Sequence, residues 1–423
     1  MPRRKRVLSG MRPTGPLHLG HYFGALSNWV RMQDEYDCHF FIADWHALTT
    51  HYADDTRLVP ENTLAIALDW LAVGLDPRKS TLFVQSMVPE HAELHLLLSM
   101  VTPVSWLERV PTYAEQIGQL KDKDLGTYGF LGYPLLQTAD IVMYDADLVP
   151  VGEDQVPHVE LSREIVRKFN SLFGFEVADA LFRSENLKSL LELREAVPFP
   201  PSVQDSGLPG EPTLAENRWL FKQRAAQVGF ANFLEETGRN KKYFRVRPVL
   251  REPAALLTET PRFPGTDGRR MAKSYGNAIW LRDEPETIRT KVMAMLTDPQ
   301  RVRRSDPGRP EVCPVFAYHK LFSTPEMITW SEQGCRTAAI GCVECKRAMA
   351  DSLIRWIEPV QQRRRALEAD PGRLRAILTE GSARARRAAR RTMKRVREAV
   401  FGGVGRRSDP RRKAPQPARS ESD

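Results

Sequence analysis

Apolar residues in the first half of the chain fall in short runs separated by longer periodic stretches. Residues 6–11 (RVLSGM), 38–49 (CHFFIADWHALT) and 81–88 (TLFVQSMV) are apolar, partly β-branched runs of strand length. Between them, residues 20–36 and 55–74 carry the pattern of helices. Residues 147–152 (DLVPVG) predict a further strand, and 154–174 a further helix. Nearly all-apolar strands alternating with helices imply a parallel sheet covered on both faces, the α/β class.

The rhythm breaks at 175–246. VPFPPSVQDSGLPGEP reads as a loop because it is rich in Pro, Gly and Ser. Residues 216–237 read as a helix, and the whole segment as an insertion. The expected organisation is a sheet domain over 1–174, the insertion at 175–246, a return of the sheet domain at 247–281 and a helical region over 282–401. The last helix, 381–401, carries eight Lys or Arg and one Glu between Gly381 and Val400. Residues 402–423 have almost no apolar content, as in a disordered basic tail.

Composition changes this picture little. Of the 423 residues, 42 % are hydrophobic and 27 % charged, ordinary for a globular protein. No apolar run approaches the roughly 18–20 residues that cross a bilayer. The basic start MPRRKRVLSG lacks the apolar stretch of a secretory signal, so a cytoplasmic location is expected. Lys and Arg exceed Asp and Glu by nine, which fits a polyanion partner or a basic surface and tail.

Two segments carry candidate chemistry. RVLSGMRPTGPLHLGH is a strand, a turn rich in Gly and Pro, and a helix start. Unpaired N–H groups and the helix dipole favour a phosphate at such a terminus. His18 and His21 lie three apart, on one side of the first turn, and can donate to a polyphosphate; one of them could instead be a capping residue. Near position 270, GTDGRRMAKSYGN sets Arg269, Arg270, Lys273 and Ser274 in a loop flanked by glycines. Such a loop suits charge that develops on a transferring phosphoryl group, or is a solvated basic surface. The cysteines Cys313, Cys335, Cys342 and Cys345 have the spacing C-x21-C-x6-C-x2-C. Four thiolates can hold Zn²⁺ or a [4Fe–4S] cluster, and spacing favours neither. Cys38, alone in a strand, reads as a small buried hydrophobe.

Together the two segments resemble the HIGH and KMSKS signatures of class I aminoacyl-tRNA synthetases. SGMRPTGPLHLGHYFGAL, FIADWHALTT, LFVQSMVPEHAEL, GYPLLQTADIVMYDADLVPVGEDQVPHVELSREIVRKFN and the final helices resemble the tryptophanyl-tRNA synthetases, over nearly the whole chain to about residue 401. The resemblance implies a Rossmann-like catalytic domain, a C-terminal α-helical anticodon-binding domain, and a homodimer acting on ATP, Mg²⁺, L-tryptophan and tRNA(Trp). It implies that ATP meets Arg12, Pro13, Thr14, Gly20, His21, Gly152, Glu153, Asp154, Phe263 and the loop Arg270-Met271-Ala272-Lys273-Ser274. Asp154 could also cap the following helix. His18, His21 and Lys273 would act in catalysis. Asp140 would read the indole N–H, with Tyr133 and Gln155 holding the amino group. His46 would line the same site or pack at a strand end.

The quartet of cysteines resembles a subset of the family that binds [4Fe–4S]; there the first gap is one residue longer, and zinc or an empty site is the alternative. Three departures stand out. The second signature reads RMAKS, with Arg270 and Ala272 substituted. Gln137 stands where Met is common beside the indole, and Leu8 where an aromatic packs on it. A tyrosyl-tRNA synthetase shares the fold and both signatures. A non-catalytic paralogue that binds tRNA or senses tryptophan is a further alternative.

Overall fold

The computed structural model describes residues 3–51, 55–111, 126–197, 214–258 and 263–402. The loop expected at 197–212 falls almost wholly outside the described residues, as does the tail after Gly402. The chain forms two compact units. One comprises Met1–Ser162 with Pro253–Ala389, the other Arg163–Glu252 with Arg390–Asp423.

The first unit is built on a parallel sheet of five strands: β1 Arg6–Met11, β2 Asp37–Ile42, β3 Thr81–Val84, β4 Leu148–Val151 and β7 Ala254–Leu257. Their spatial order is β3-β2-β1-β4-β7, and every pair is parallel. β2 is buried along almost its whole length, as a central strand covered on both faces must be. The order reverses direction between β1 and β4, and the chain leaves a crevice beyond the carboxyl ends of these two strands.

Two predicted strands end early. The run from Cys38 turns at Ala43 into the helix Asp44–His51, and the run from Thr81 ends in a single tight turn, Gln85–Met87. The Asp44 carboxylate ends both, because it accepts from the backbone N–H of Trp45 and of Ser86. The predicted helix 20–36 is also interrupted. A single α-turn, Leu19–His21, runs into a wider π-helical stretch, Tyr22–Leu26, before regular helix resumes at Ser27–Glu35. Such wide turns concentrate at functional sites, and this one brings Gly24 and Ala25 to the crevice wall.

One core runs from the sheet into the helices that follow it, joining Phe40, Trp70 and Ile279 to Ile288, Tyr318, Leu353 and Ile357. The helix Cys342–Glu368 is tied to the helix Leu58–Ala72 by Arg364, whose Nε lies 2.8 Å from the buried Asp69 carboxylate. The other oxygen of Asp69 accepts from the backbone of Leu17, beside the first signature.

The basic final helix, Pro371–Phe401, is partly structural. Ser382 accepts from Val84 at the open edge of β3, Arg384 donates to the carbonyls of Pro77 and Ser80, and Arg386 pairs with Glu90. Gly381 makes this approach possible, since a Cβ there would lie 1.7 Å from the Leu82 carbonyl oxygen. Gly381→Ala is therefore expected to lower stability by about 2–3 kcal/mol through forced separation of helix and strand. Thermal unfolding followed by circular dichroism checks this, and an unchanged Tm would show that the helix does not press on β3.

In the second unit, β5 Phe175–Val177 and β6 Phe244–Val246 form an antiparallel pair. The helices Leu187–Ala196, Leu214–Val228 and Phe230–Thr237 belong to the same unit, and Leu193, Phe221, Phe233 and Phe244 share its core. The helix predicted at 216–237 breaks at Gly229, whose φ of 85° suits glycine.

Candidate functional site

The crevice at the sheet's switch point is a cavity of about 470 Å³. Its floor is the end of β1 (Leu8 to Met11) and of β4 (Val149 to Val151), continued by Arg12 and Gly152. Its walls include His46, Tyr133, Gln137, Asp140, Gln155 and His158. All four residues expected at tryptophan thus meet in one space, together with two of the three departures, Leu8 and Gln137.

Asp140 is at the centre of a buried network. It sits on the helix Tyr133–Met143 with 1 % of its surface exposed. Its Oδ1 lies 2.5 Å from His91 Nδ1 and 2.8 Å from Gln85 Nε2. Its Oδ2 lies 2.8 Å from His46 Nε2 and 2.9 Å from the same Gln85 nitrogen. Burial alone would raise the carboxyl's pKa, but the His91 charge and the bonds from His46 and His91 hold it down to about 2. Asp140 is thus ionised at neutral pH despite full burial. Behind it, the Tyr144 hydroxyl lies 2.6 Å from His91 Nε2. Burial and the Asp140 and Glu90 carboxylates keep that phenol neutral. His91 thus bridges the Asp140 carboxylate and the Tyr144 hydroxyl through its two ring nitrogens.

His46 lines this crevice from the first turn of a helix that the pattern of apolar residues had hidden, not from a strand end. Gln85, His91 and Tyr144 were not expected. Their signal lay in the sequence only as single polar residues in FVQSM, PEHAEL and VMYDA.

The first signature begins where Arg12-Pro13-Thr14-Gly15 leave β1. His18 precedes the short α-turn, and its backbone N–H donates to His21 Nδ1 at 3.1 Å. The two imidazoles stack with centroids 3.7 Å apart. His18 is buried, yet its Nδ1 has no partner among the described residues. Burial, with Lys273 and Arg270 nearby, drops its pKa to about 4. Burial, His18 and the same two cations drop that of His21 to about 3. Both rings are neutral at physiological pH, so they can offer hydrogen bonds but no charge.

The second signature is folded against the first. Leu19 N–H donates to the Ile279 carbonyl and Leu281 N–H to the Leu17 carbonyl, each at 3.0 Å, with His18 and Trp280 bridging between them. Met271 packs near Gly20, where a Cβ would lie 3.4 Å from its own Cβ. Lys273 reaches back across this contact. Its Nζ would lie 2.9 Å from a Cβ at Gly15, whose φ of 127° already requires glycine. Burial lowers the Lys273 pKa to about 8.

The loop is pinned by Asn277, which accepts from Ala272 N–H and donates to Asp267 and the Arg270 carbonyl. One expected contribution looks different here. Arg269 is committed to Asp267 at 2.6 Å and lies over the Tyr275 ring, so its charge is compensated. Phe263 stacks on Phe23 in the core, and its carbonyl accepts from Met271 N–H. Ser274 is exposed.

In the GEDQ turn, Gly152 caps a short helical turn, Glu153–Gln155, with its carbonyl. Glu153 and Asp154 are exposed, and Asp154 accepts from Gln155 Nε2 at 3.0 Å.

A Rossmann-like sheet, a carboxylate at its switch point and two signatures joined by backbone pairing together point to amino-acid activation. The model of class I tRNA synthetases (W and Y) matches residues 2–194 and 231–358. A tryptophan–tRNA ligase of Ralstonia nicotianae is 50 % identical over 406 residues, covering 94 % of this chain and 98 % of that one. The chain belongs to the class I tryptophanyl-tRNA synthetases. A tryptophan–tRNA ligase of Thermotoga maritima is 43 % identical over 93 % of this chain and 98 % of its own. Among solved structures, the tryptophanyl-tRNA synthetase of Campylobacter jejuni complexed with ADP and tryptophan aligns with a TM-score of 0.70 at 26 % identity. It covers 94 % of this chain and 99 % of that chain. The synthetase joins tryptophan to tRNA using ATP, and no described helix is long and apolar enough to cross a membrane.

The cysteines lie around the helices that follow the second signature. Cys313 precedes the helix Pro314–Phe322, Cys335 ends the helix Pro325–Arg336, and Cys342 and Cys345 begin Cys342–Glu368. All four are free thiols. Cys345 Sγ lies 3.2 Å from Ser331 Oγ and 3.5 Å from His319 Nε2, and Arg301 points at Cys335 Sγ from 3.7 Å. Burial pushes the Cys345 thiol up to about 11, relieved by Ser331 and reinforced by the other three cysteines. Among the described residues, no three His, Cys, Asp or Glu side chains are arranged to hold a metal ion.

Proposed function

We propose that tryptophan lies in the crevice with its indole N–H directed at Asp140 and its amino group toward Tyr133 and Gln155. The observation that carries this reading is the ionised, fully buried Asp140 carboxylate on the crevice wall. A carboxylate offers about four lone-pair sites. His91 and His46 take one each, and a single Gln85 nitrogen spans two. The indole N–H would compete with the Gln85 contacts, the only ones in the set from an uncharged amide. A phenylalanine side chain has no N–H to offer, so it would leave the charge undersatisfied.

ATP enters as its Mg²⁺ complex, the metal riding mainly on the phosphates. The tryptophan carboxylate attacks the α-phosphorus and pyrophosphate departs. Lys273 supplies positive charge to the departing oxygens, and the neutral His18 and His21 donate hydrogen bonds. Arg12-Pro13-Thr14, Gly20 and Gly152-Glu153-Asp154 frame the nucleotide, with Phe263, Arg270, Met271, Ala272 and Ser274 on the second signature's side. The 2′-OH of the terminal adenosine of tRNA(Trp) then attacks the carbonyl carbon of the mixed anhydride, and AMP leaves.

The helices of 282–401 are the anticodon-reading part. A homodimer rests on the resemblance to the family. The iron–sulfur reading is supported by donor chemistry: four thiols gather there, and the other cysteines add to the raised pKa of Cys335 and of Cys345, which a bound cation would relieve. Assembly would require Cys345 to leave Ser331.

Pyrophosphate exchange dependent on tryptophan tests the central reading. Exchange with tyrosine but not tryptophan would overturn it, and tRNA binding without exchange would support a non-catalytic role. Iron and zinc determination on anaerobically prepared protein tests the cysteines.

A further inference from the structure

The second unit holds a cavity of about 750 Å³ that tryptophan activation does not use. One part of its lining is the helix Leu214–Val228, which contributes Arg218, Trp219 and Lys222. The rest comes from β5, β6 and the turn before β6, with Lys242 and Arg245 among its residues. Arg218, Trp219 and Lys222 fall in the stretch 195–230 that the family model leaves unmatched.

The charges do not cancel. Two carboxylates line the cavity, and both are taken: Asp179 pairs with Arg218, and Glu176 with Arg245 at 2.6 Å. Lys222 and Lys242 have no carboxylate partner among the described residues. Each instead lies over an aromatic ring, Lys222 at 5.5 Å from Phe173 and Lys242 at 5.0 Å from Tyr243. Lys222 is also desolvated enough to lower its pKa. Trp219, three residues before Lys222 and so on a neighbouring helix position, is 48 % exposed. A large exposed indole beside two uncompensated ammonium groups in a concavity matches a ligand with a flat ring and a phosphate. Bases stack on such platforms with little regard to sequence, while Lys neutralises the backbone.

We propose that this cavity binds an unpaired nucleotide of the tRNA substrate, with a phosphate between Lys222 and Lys242 and a base stacked on Trp219. The inference rests on the chain acting on tRNA. RNA offers unstacked bases in its loops and ends, where proteins most often read it. The same chemistry exists in a free mononucleotide, and the experiment separates the two.

The variants are Trp219→Ala, Trp219→Phe and the pair Lys222→Ala with Lys242→Ala, made in the full chain. KM for tRNA in aminoacylation and Kd for tRNA are measured beside tryptophan-dependent exchange without tRNA. Trp219→Ala is expected to raise both tRNA constants by about tenfold, and Trp219→Phe to restore them largely. The lysine pair is expected to raise them similarly and to flatten their salt dependence. Exchange should stay within about twofold of the unaltered protein in every variant, which also shows that the fold persists. Unchanged tRNA constants in all variants would overturn the proposal. So would loss of uridine monophosphate binding with tRNA affinity retained, which would make this a free-nucleotide site. If exchange itself is absent in the unaltered protein, the activation reading fails, while the tRNA Kd still tests this cavity.

Discussion

Asp140→Asn is expected to lower kcat/KM for tryptophan in pyrophosphate exchange by about two to three orders of magnitude. The asparagine keeps the volume of the side chain and removes its charge. Breaking one member of a buried, hydrogen-bonded charge network costs about 3–5 kcal/mol, because the remaining partners stay behind unsatisfied. Here those partners are His91, His46 and Gln85, all buried and all directed at the carboxylate. The amide can accept at one atom only, so either His91 or His46 meets an N–H. The loss should fall on tryptophan: its KM rises or kcat falls, while KM for ATP changes by less than about threefold. Discrimination against phenylalanine should narrow as well, since the unpaired charge that rejects it is gone. Steady-state exchange with both amino acids measures this. Wild-type kcat/KM for tryptophan in Asp140→Asn would remove Asp140 from substrate recognition.

The second large effect belongs to Lys273. Lys273→Ala is expected to lower kcat for exchange by about 10²–10³-fold, the usual cost of removing one preorganised group that stabilises developing charge. Equilibrium binding of tryptophan should be unaffected. The pH dependence gives a sharper test. Lys273 carries its charge below its pKa of about 8 and loses it as pH rises through that value. In the free enzyme, kcat/KM for ATP should therefore fall on the alkaline side of about pH 8. Lys273→Arg should remove that limb, because a guanidinium stays charged. The groups facing Lys273 contribute no acid limb near neutrality: His18 titrates at about 4 and His21 at about 3. Arg270 adds constant charge. A profile with an inflection between about pH 6 and 7 would mean that a histidine is charged in catalysis, against the burial that lowers both. Unchanged kcat in Lys273→Ala would leave the altered second signature without a catalytic role.

Much of the framework was legible in the chain. The apolar runs at 6–11, 38–49, 81–88 and 147–152 located four of the five sheet strands, because a central parallel strand is buried on both faces and must be apolar throughout. β7 was anticipated only as a brief return of sheet pattern, since four residues, Ala254–Leu257, carry too little signal. The same apolar continuity misled at strand ends. CHFFIADWHALT and TLFVQSMV stay apolar past the point where Asp44 bends both segments, and hydrophobic pattern records burial, not direction. Residues expected at the site were recognised singly, through motifs. Their neighbours Gln85 and His91 were not, because a single polar residue, whether in an apolar run like Gln85 or beside other polar residues like His91, has no meaning until its partner is known.

The sequence by itself determined the α/β architecture and the two nucleotide signatures, and it proposed the residues of the tryptophan pocket, since each depends on local pattern or residue type. Only the tertiary structure decided their electrical state. The backbone pairing of Leu17 and Leu19 with Ile279 and Leu281 closes about 260 residues of chain and sets Lys273 beside two stacked histidines. Burial there discharges His18 and His21 and leaves Lys273 to carry the positive charge. At Asp140 the same burial is overcome by His91 and His46, drawn from helices remote in sequence. Whether a titratable group is charged depends on what surrounds it in three dimensions, and long-range contacts supply that surrounding.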